Sequence, residues 1–315
     1  MSAEKKRLGL IGARGYVGSE LIKLLAHHPY FTVDFVSSRT HPGEPVPGLP
    51  DARVEDLDAA AIAARKADAV VLALPNDLSL PVVAAIDAVH PETVIVDVSA
   101  DHRFDPTWVY GLPEHHRAAQ KGARRIANPG CYATATALAL RPLAALLEGP
   151  AHAFGVSGYS GAGTTPSPRN DVDALRDNLI PYALTGHLHE REVCRHAAPV
   201  CFVPHVASFF RGLTVTVSMI FERPVSKGEL AIRYNEAYGG EPLVHIVDDI
   251  PQVREIANHP GAVIGGITVD EARRHAVVIA TLDNLLKGAA SQAVQNLNLA
   301  FGFPETTGIL PWKSR

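Results

Sequence analysis

Short unbroken apolar runs alternate with stretches of helical spacing along the first third of the chain. Leu8-Gly9-Leu10-Ile11 reads as a buried strand. Tyr16 to His27 repeats apolar positions at Val17, Leu21, Leu24 and Leu25, the spacing of one helix face, and Thr32 to Ser37 is a second strand. Ala69 to Leu74 and Thr93 to Val98 are apolar throughout, as strands of a parallel sheet covered on both faces must be. This alternation predicts an α/β fold with a Rossmann-type doubly wound parallel sheet. From about Ala151 the texture changes to longer alternating strands, Cys201-Phe202-Val203 and Gly212 to Phe221, after a Gly- and Pro-rich loop from Ser157 to Arg169. A second, α+β domain is expected there. An apolar run from Tyr132 to Leu147 suits a helix, as does the closing segment Leu285 to Leu299.

Composition narrows the class. With 315 residues, 47% of them hydrophobic, the chain can bury a large core and suggests two domains. A net charge of −4, with no basic run longer than Lys5-Lys6-Arg7, provides no field for nucleic acid. Cys131, Cys194 and Cys201 show no C-x-x-C spacing, which argues against a disulfide framework or a cysteine zinc site and for a reducing, cytoplasm-like compartment. No run reaches the ~18 apolar residues of a membrane span, and Met1 to Arg7 leads straight into a glycine-rich element, so the mature chain is expected to begin near Met1.

Candidate chemistry gathers at eight places. Gly12-Ala13-Arg14-Gly15-Tyr16-Val17-Gly18 lies between a strand and a helix, where glycines let the backbone approach a pyrophosphate and the helix start favours negative charge. At the end of the second strand Ser37-Ser38-Arg39-Thr40 stands where an NAD site would place a carboxylate; a hydroxyl and a guanidinium suit the 2′-phosphate of NADP, and a solvated loop charge is the plain alternative for Arg39. Ser99-Ala100-Asp101-His102-Arg103 follows a strand at its carboxyl end, with Arg103 either an anion clamp or the partner of Asp97, Asp101 or Asp105.

Pro129-Gly130 forces a turn before Cys131, which therefore begins a helix, where unpaired N–H groups and the positive end of the dipole favour the nucleophilic thiolate. Gly158-Tyr159-Ser160-Gly161-Ala162-Gly163 is a second glycine-rich loop. Thr185-Gly186-His187-Leu188-His189-Glu190-Arg191-Glu192 concentrates two histidines and two carboxylates, and in an extended segment His187 and His189 would share one face. Acid/base work needs one such imidazole, whereas zinc would need further ligands at suitable spacing. Phe202-Val203-Pro204-His205 with Arg211-Gly212 adds a competing histidine and an arginine, and Asn284 in Asp283-Asn284-Leu285-Leu286-Lys287-Gly288 is an amide ligand or a helix cap.

Taken in order with Tyr110-Gly111-Leu112-Pro113-Glu114, these motifs resemble the N-acetyl-gamma-glutamyl-phosphate reductase family of arginine biosynthesis, from Leu8 to about Phe303. The likeness is strongest to the branch that fungi fuse to an acetylglutamate kinase, through Asn178 to Leu184 and Val247 to Pro251; no attached kinase is expected, because the reductase alone would account for 315 residues. The resemblance implies a fold similar to glyceraldehyde-3-phosphate and aspartate-semialdehyde dehydrogenases, in which the last helix returns to the dinucleotide domain. Residues 1–130 and 285–315 would then form the NADP-binding domain and 131–284 the catalytic and oligomerisation domain. It implies a cytoplasmic homodimer or homotetramer that reduces a small acyl phosphate through a thioester on Cys131, with His187, or His189 beside it, as acid/base on a loop expected to move. Implied cofactor contacts are Gly12, Arg14, Gly15, Tyr16, Val17, Gly18, Ser38, Arg39, Ser160, Gly161, Ala162 and Asn284; implied substrate contacts are Arg103, Asn128, His205, Arg211 and Glu192; no metal is implied. The N-acetylaminoadipyl-phosphate or carrier-linked paralogue and aspartate-semialdehyde dehydrogenase would run the same chemistry on related chains. A non-catalytic NADP-binding sensor is the reading from another class.

Overall fold

The computed structural model describes residues 5–309; the start at Met1 and the last six residues of the anticipated dinucleotide domain, 310–315, lie outside the described residues. Internal contacts divide the chain into two compact units, residues 5–130 with 289–309 and residues 131–288.

In the first unit eight strands run in the order β3-β4-β2-β1-β5-β6-β8-β7. They are β1 (Lys6–Ile11), β2 (Phe31–Ser37), β3 (Pro45–Val46), β4 (Leu49–Glu55), β5 (Ala69–Leu72), β6 (Val94–Asp97), β7 (Val109–Tyr110) and β8 (Arg125–Ala127). Every pairing is parallel except the β3–β4 hairpin. The central strands β5 and β6 are buried at every position, which is why their sequences carry no polar alternation. Ile11, Phe35, Ile62, Leu72, Ile86 and Ile95 meet in one core.

The closing segment is a π turn, Leu286–Ala290, followed by the helix Ser291–Phe301, which ends at Gly302 in the left-handed region (φ 72°). Gln292, Gln295, Asn296 and Asn298 on this helix are fully buried, and such groups require hydrogen bonds. Asn296 Nδ2 donates to Gly111 O and to Asn128 Oδ1, both at 2.9 Å, and Asn298 Nδ2 donates to Glu305 O and Thr307 O.

The second unit holds a mixed sheet ordered β10-β11-β9-β12-β15-β14-β13. Its strands are β9 (Ala151–Gly158), β10 (Leu179–Pro181), β11 (Val200–Ala207), β12 (Leu213–Ile220), β13 (Val244–Ile246), β14 (Ala262–Asp270) and β15 (His275–Leu282). One face is apolar and buried, with Leu213, Val215, Val217 and Met219 beside Ala276, Val278, Ala280 and Leu282. The helices Cys131–Leu140 and Lys227–Tyr238 cover it. The other face is open, with Phe154, Thr216 and Ile279 side by side in register.

The helix begun by Cys131 is apolar all round and buried beyond its first residue, as a central helix should be. It stops at Leu140, and Arg141–Leu146 is a 3₁₀ turn, shorter in α-helix than the run to Leu147 predicts. Pro142 is the cause: it has no N–H for the carbonyl of Leu138. The buried Tyr238 hydroxyl donates to that carbonyl instead (2.9 Å), and the Tyr234 hydroxyl donates to the carbonyl of Ala139. Tyr238→Phe should therefore strip the Leu138 carbonyl of this donor and lower stability by about 1–3 kcal/mol. A lower urea midpoint with unchanged slope is the expected result; an unchanged midpoint would rule the hydroxyl out as the end-cap.

Candidate active site

Cys131 stands at the first position of its helix, half-buried. The π turn lies against it so closely that a Cβ on Gly288 would sit 2.5 Å from the Cys131 Cβ. No side chain larger than hydrogen fits there, and the helix start keeps the dipole field that favours a thiolate.

The histidine segment is not extended. The helix Leu188–His196 begins immediately after His187, whose Nδ1 accepts from the backbone N–H of His189 at 3.1 Å. Gly186 turns the chain at φ 67°, its N–H donates to Glu190 Oε1, and Glu190 Oε2 accepts from Phe202 N at 2.8 Å. Two backbone donors at the helix start, Gly186 and His189, with carboxylate and imidazole acceptors at local offsets favour a capped helix over a strand, and the Phe202 bond ties that helix to β11.

A chain of ring contacts follows. His187 meets the edges of Tyr182 (centroids 5.5 Å apart), His189 (4.8 Å) and Phe202 (5.5 Å), while His189 meets Tyr132 at 6.0 Å. The histidine pair thus joins a cluster ending on the residue next to Cys131. Burial pushes the His187 imidazole down to about 4, the charge of Arg169 adds to this, and Glu190 opposes it. His187 is neutral at physiological pH. With Nδ1 accepting, its proton resides on Nε2. The Tyr182 phenol is held protonated by burial and then by the charge of Cys131.

Other expected contacts are placed elsewhere. His205 lies outside the cluster: alternation along β11 puts Phe202 on the inner face and His205 on the opposite one, where its ring packs on Phe154 at 4.1 Å. Glu192 is fully buried. Arg211 makes a bidentate pair with Asp283 (2.6 and 3.1 Å), and Asp283 also accepts from the N–H groups of Asn258, Leu285 and Leu286. The cap of the following turn is therefore Asp283, and Asn284 is a clamp between loops, accepting from Gly212 N (2.7 Å) and donating to Ser160 Oγ (2.9 Å). That clamp holds the turn Tyr159–Ala162, where Gly161 and Ala162 are placed.

In the first unit the glycine turn suits a dinucleotide. Gly12 has φ 85° and a Cβ on it would fall 2.1 Å from Ala73 O; one on Gly18 would fall 2.5 Å from Gly12 O, so both glycines seat the helix tightly on the sheet. A Cβ at Gly15 would meet only Gly12 O, at 3.5 Å, so this side of the turn is open to a phosphate. The helix Tyr16–Leu25, which carries Val17, has no side-chain cap at Gly15 and no acid in its first turn.

Arg14 pairs with Glu44 at 2.7 Å, Ser38 Oγ bonds Thr40 Oγ1 at 3.0 Å, and Arg39 is exposed. Arg103 is buried and spans two carbonyls, Asn128 O (2.9 Å) and Val98 O (2.8 Å). Asn128 is itself fully buried, donating to Ala289 O at 3.3 Å. Sequence reasoning missed the buried Asp97–His102 pair (2.7 Å), stacked on Trp108 at 3.8 Å, which braces this loop. The signal was an acid closing an apolar strand with histidine five residues on.

Comparison with known proteins agrees with both units. Residues 7–123 match the semialdehyde dehydrogenase NAD binding domain and residues 131–284 the semialdehyde dehydrogenase dimerisation domain, so the first unit belongs to a nicotinamide-binding family. The fold is shared with aspartate semialdehyde dehydrogenase II of Vibrio cholerae, solved with ASA (TM-score 0.77, 18% identity, 94% of this chain and 98% of that one). It is also shared with the Candida albicans aspartate semialdehyde dehydrogenase solved with NADP (TM-score 0.69, 18% identity, 94% and 98%). An N-acetyl-gamma-glutamyl-phosphate reductase of Xanthomonas euvesicatoria is 54% identical over 98% of this chain and all of its own. One of Stenotrophomonas maltophilia is 54% identical over 96% and 97%. With identity of that extent running through both units, the chain belongs to the N-acetyl-gamma-glutamyl-phosphate reductase family.

Proposed function

We propose that this chain reduces N-acetyl-gamma-glutamyl phosphate to N-acetylglutamate semialdehyde through a thioester on Cys131, with NADP preferred to NAD. The observation that carries this reading is the helix-start cysteine beside a ring cluster that holds a neutral histidine. Cys131 Sγ attacks the acyl carbon, the C–S bond forms, and the C–O bond to phosphate breaks with its electron pair leaving on phosphate. A nicotinamide, when bound, supplies hydride to the thioester carbonyl. The resulting thiohemiacetal oxyanion is stabilised by N–H groups at the helix start and by the Nε2–H of His187. Collapse breaks the C–S bond, releases the aldehyde and returns the thiolate. One proton is consumed overall and ends on the departing phosphate; His187, neutral and with Nδ1 accepting from His189, donates its Nε2–H to the oxyanion as a hydrogen bond and keeps that proton.

The preference for NADP rests on the end of β2, where Ser38 and Arg39 stand in place of an acid. The open face of the second sheet, with Phe154 and Ile220 each 44% exposed, supports pairing of subunits there. Three free cysteines fit a reducing compartment such as the cytoplasm.

In the reverse direction, N-acetylglutamate semialdehyde, phosphate and NADP should yield NADPH. Cys131→Ala should abolish this and Cys131→Ser nearly so, and NADPH formation that survives Cys131→Ala would overturn the assignment. Arg39→Ala is expected to raise the KM for NADP about tenfold, a loss of ~1.4 kcal/mol, while NAD kinetics stay as they were. Equal kcat/KM for the two cofactors in the wild type would defeat the preference. Because His187 titrates near 4, it gains its proton only as pH falls through that value, so kcat/KM should show no limb from it between about pH 5 and 8. His187→Asn should lower kcat by about 10²–10⁴-fold; loss of a limb near pH 6.5 in that variant would contradict the neutral form.

A further inference from the structure

We propose that Arg169 is a substrate-binding residue, whose guanidinium receives an anionic group of the acyl phosphate, the phosphate or the carboxylate, beside His187. The inference rests on the reaction proposed above.

Arg169 lies in the glycine- and proline-rich loop, and its neighbours hold it in place. Asn170 Nδ2 donates to Gly163 O and Thr165 O, both at 2.8 Å, and Asn170 Oδ1 accepts from Ser167 N at 2.8 Å. Asp171 then caps the turn Val172–Leu175 through Asp173 N and Ala174 N. Between these anchors the guanidinium carbon of Arg169 sits over the ring of Tyr182, 4.8 Å from its centroid. Tyr182 is itself tied to β11 through its N–H to Pro204 O (3.2 Å), and its ring meets the edge of His187.

Stacking on an aromatic face orients a guanidinium and leaves its in-plane N–H fork unspent. Among the described residues no carboxylate pairs with Arg169, whereas Arg211 is bound bidentately to Asp283 and Arg103 is buried across two carbonyls. An exposed cation without a counter-ion, whose field reaches the imidazole, is an anion site in chemistry and in place. The substrate of the proposed reaction carries two anions, and Arg103 and Arg211, the arginines expected from sequence on the substrate side, hold backbone carbonyls and Asp283.

Run in reverse, the reaction separates those anions onto two molecules, inorganic phosphate and the carboxylate of the semialdehyde. Steady-state kinetics on the full chain should be measured for the wild type, Arg169→Met, Arg169→Lys and Tyr182→Leu. Arg169→Met should raise the KM of one of the two by tenfold or more, with the KM for NADP within twofold; the one that rises identifies the anion. Arg169→Lys should recover part of the loss, and Tyr182→Leu, which removes the shelf, should raise the same KM. Both KM values within twofold of wild type in Arg169→Met would overturn the proposal while leaving the reaction standing. A wild type without Cys131-dependent turnover would overturn the reaction and this inference with it. Thermal midpoints matching the wild type are expected, since Arg169 is exposed; a midpoint that falls together with kcat and every KM would mark a structural role and also overturn it.

Discussion

The approach of Gly288 to Cys131 is the contact around which the second unit's candidate site is built. Its 2.5 Å allowance excludes any Cβ, so the backbone of the π turn lies directly against the first residue of the buried helix. Around it, Asp283 and Asn284 absorb the hydrogen-bonding demand of a tight irregular segment, one capping Leu285 and Leu286 and pairing Arg211, the other joining Gly212 to Ser160. π-helical turns are poor in intrinsic stability and are commonly retained at functional sites. Here the turn is held by a carboxylate and an amide that are both buried, each bonded to backbone N–H groups and to one side chain, Arg211 for Asp283 and Ser160 for Asn284.

Charge is distributed around that helix with a consistent sense. The helix start favours an anion at sulfur, the neutral His187 presents a proton on Nε2, and the cation of Arg169 lies over Tyr182. A protonated imidazole would place a second positive charge beside the arginine in a half-buried cluster, and burial with the Arg169 charge is what prevents it. The arrangement suits the reaction proposed for it, in which anionic reactants meet a histidine that carries no charge.

Much of the fold was legible because periodicity reports burial directly. Strands buried on both faces show no alternation, and the glycine turn at Gly12 to Gly18 carries its own steric reason, seen in the two glycines that seat the helix. The doubly wound sheet followed from those patterns alone. The α/β class and the family agree with the reading of the motifs in order. Less legible were features governed by local competition. Pro142 ended the helix early because one carbonyl lost its donor, and the segment at His187 became a capped helix because Gly186, His187 and Glu190 supplied a turn and two acceptors.

By itself the sequence determined the dinucleotide turn, the helix-start cysteine and the crowding of histidines near residue 187, since each depends on neighbours a few positions apart. Only the tertiary structure decided which side chains face one another. It set His205 on the opposite face from Phe202, gave Arg211 to Asp283, turned Asn284 into a clamp and laid Arg169 over Tyr182. The reason is physical: strand pairing and loop closure bring together residues separated by tens of positions, and no periodicity along the chain encodes the partner that a buried polar group will find.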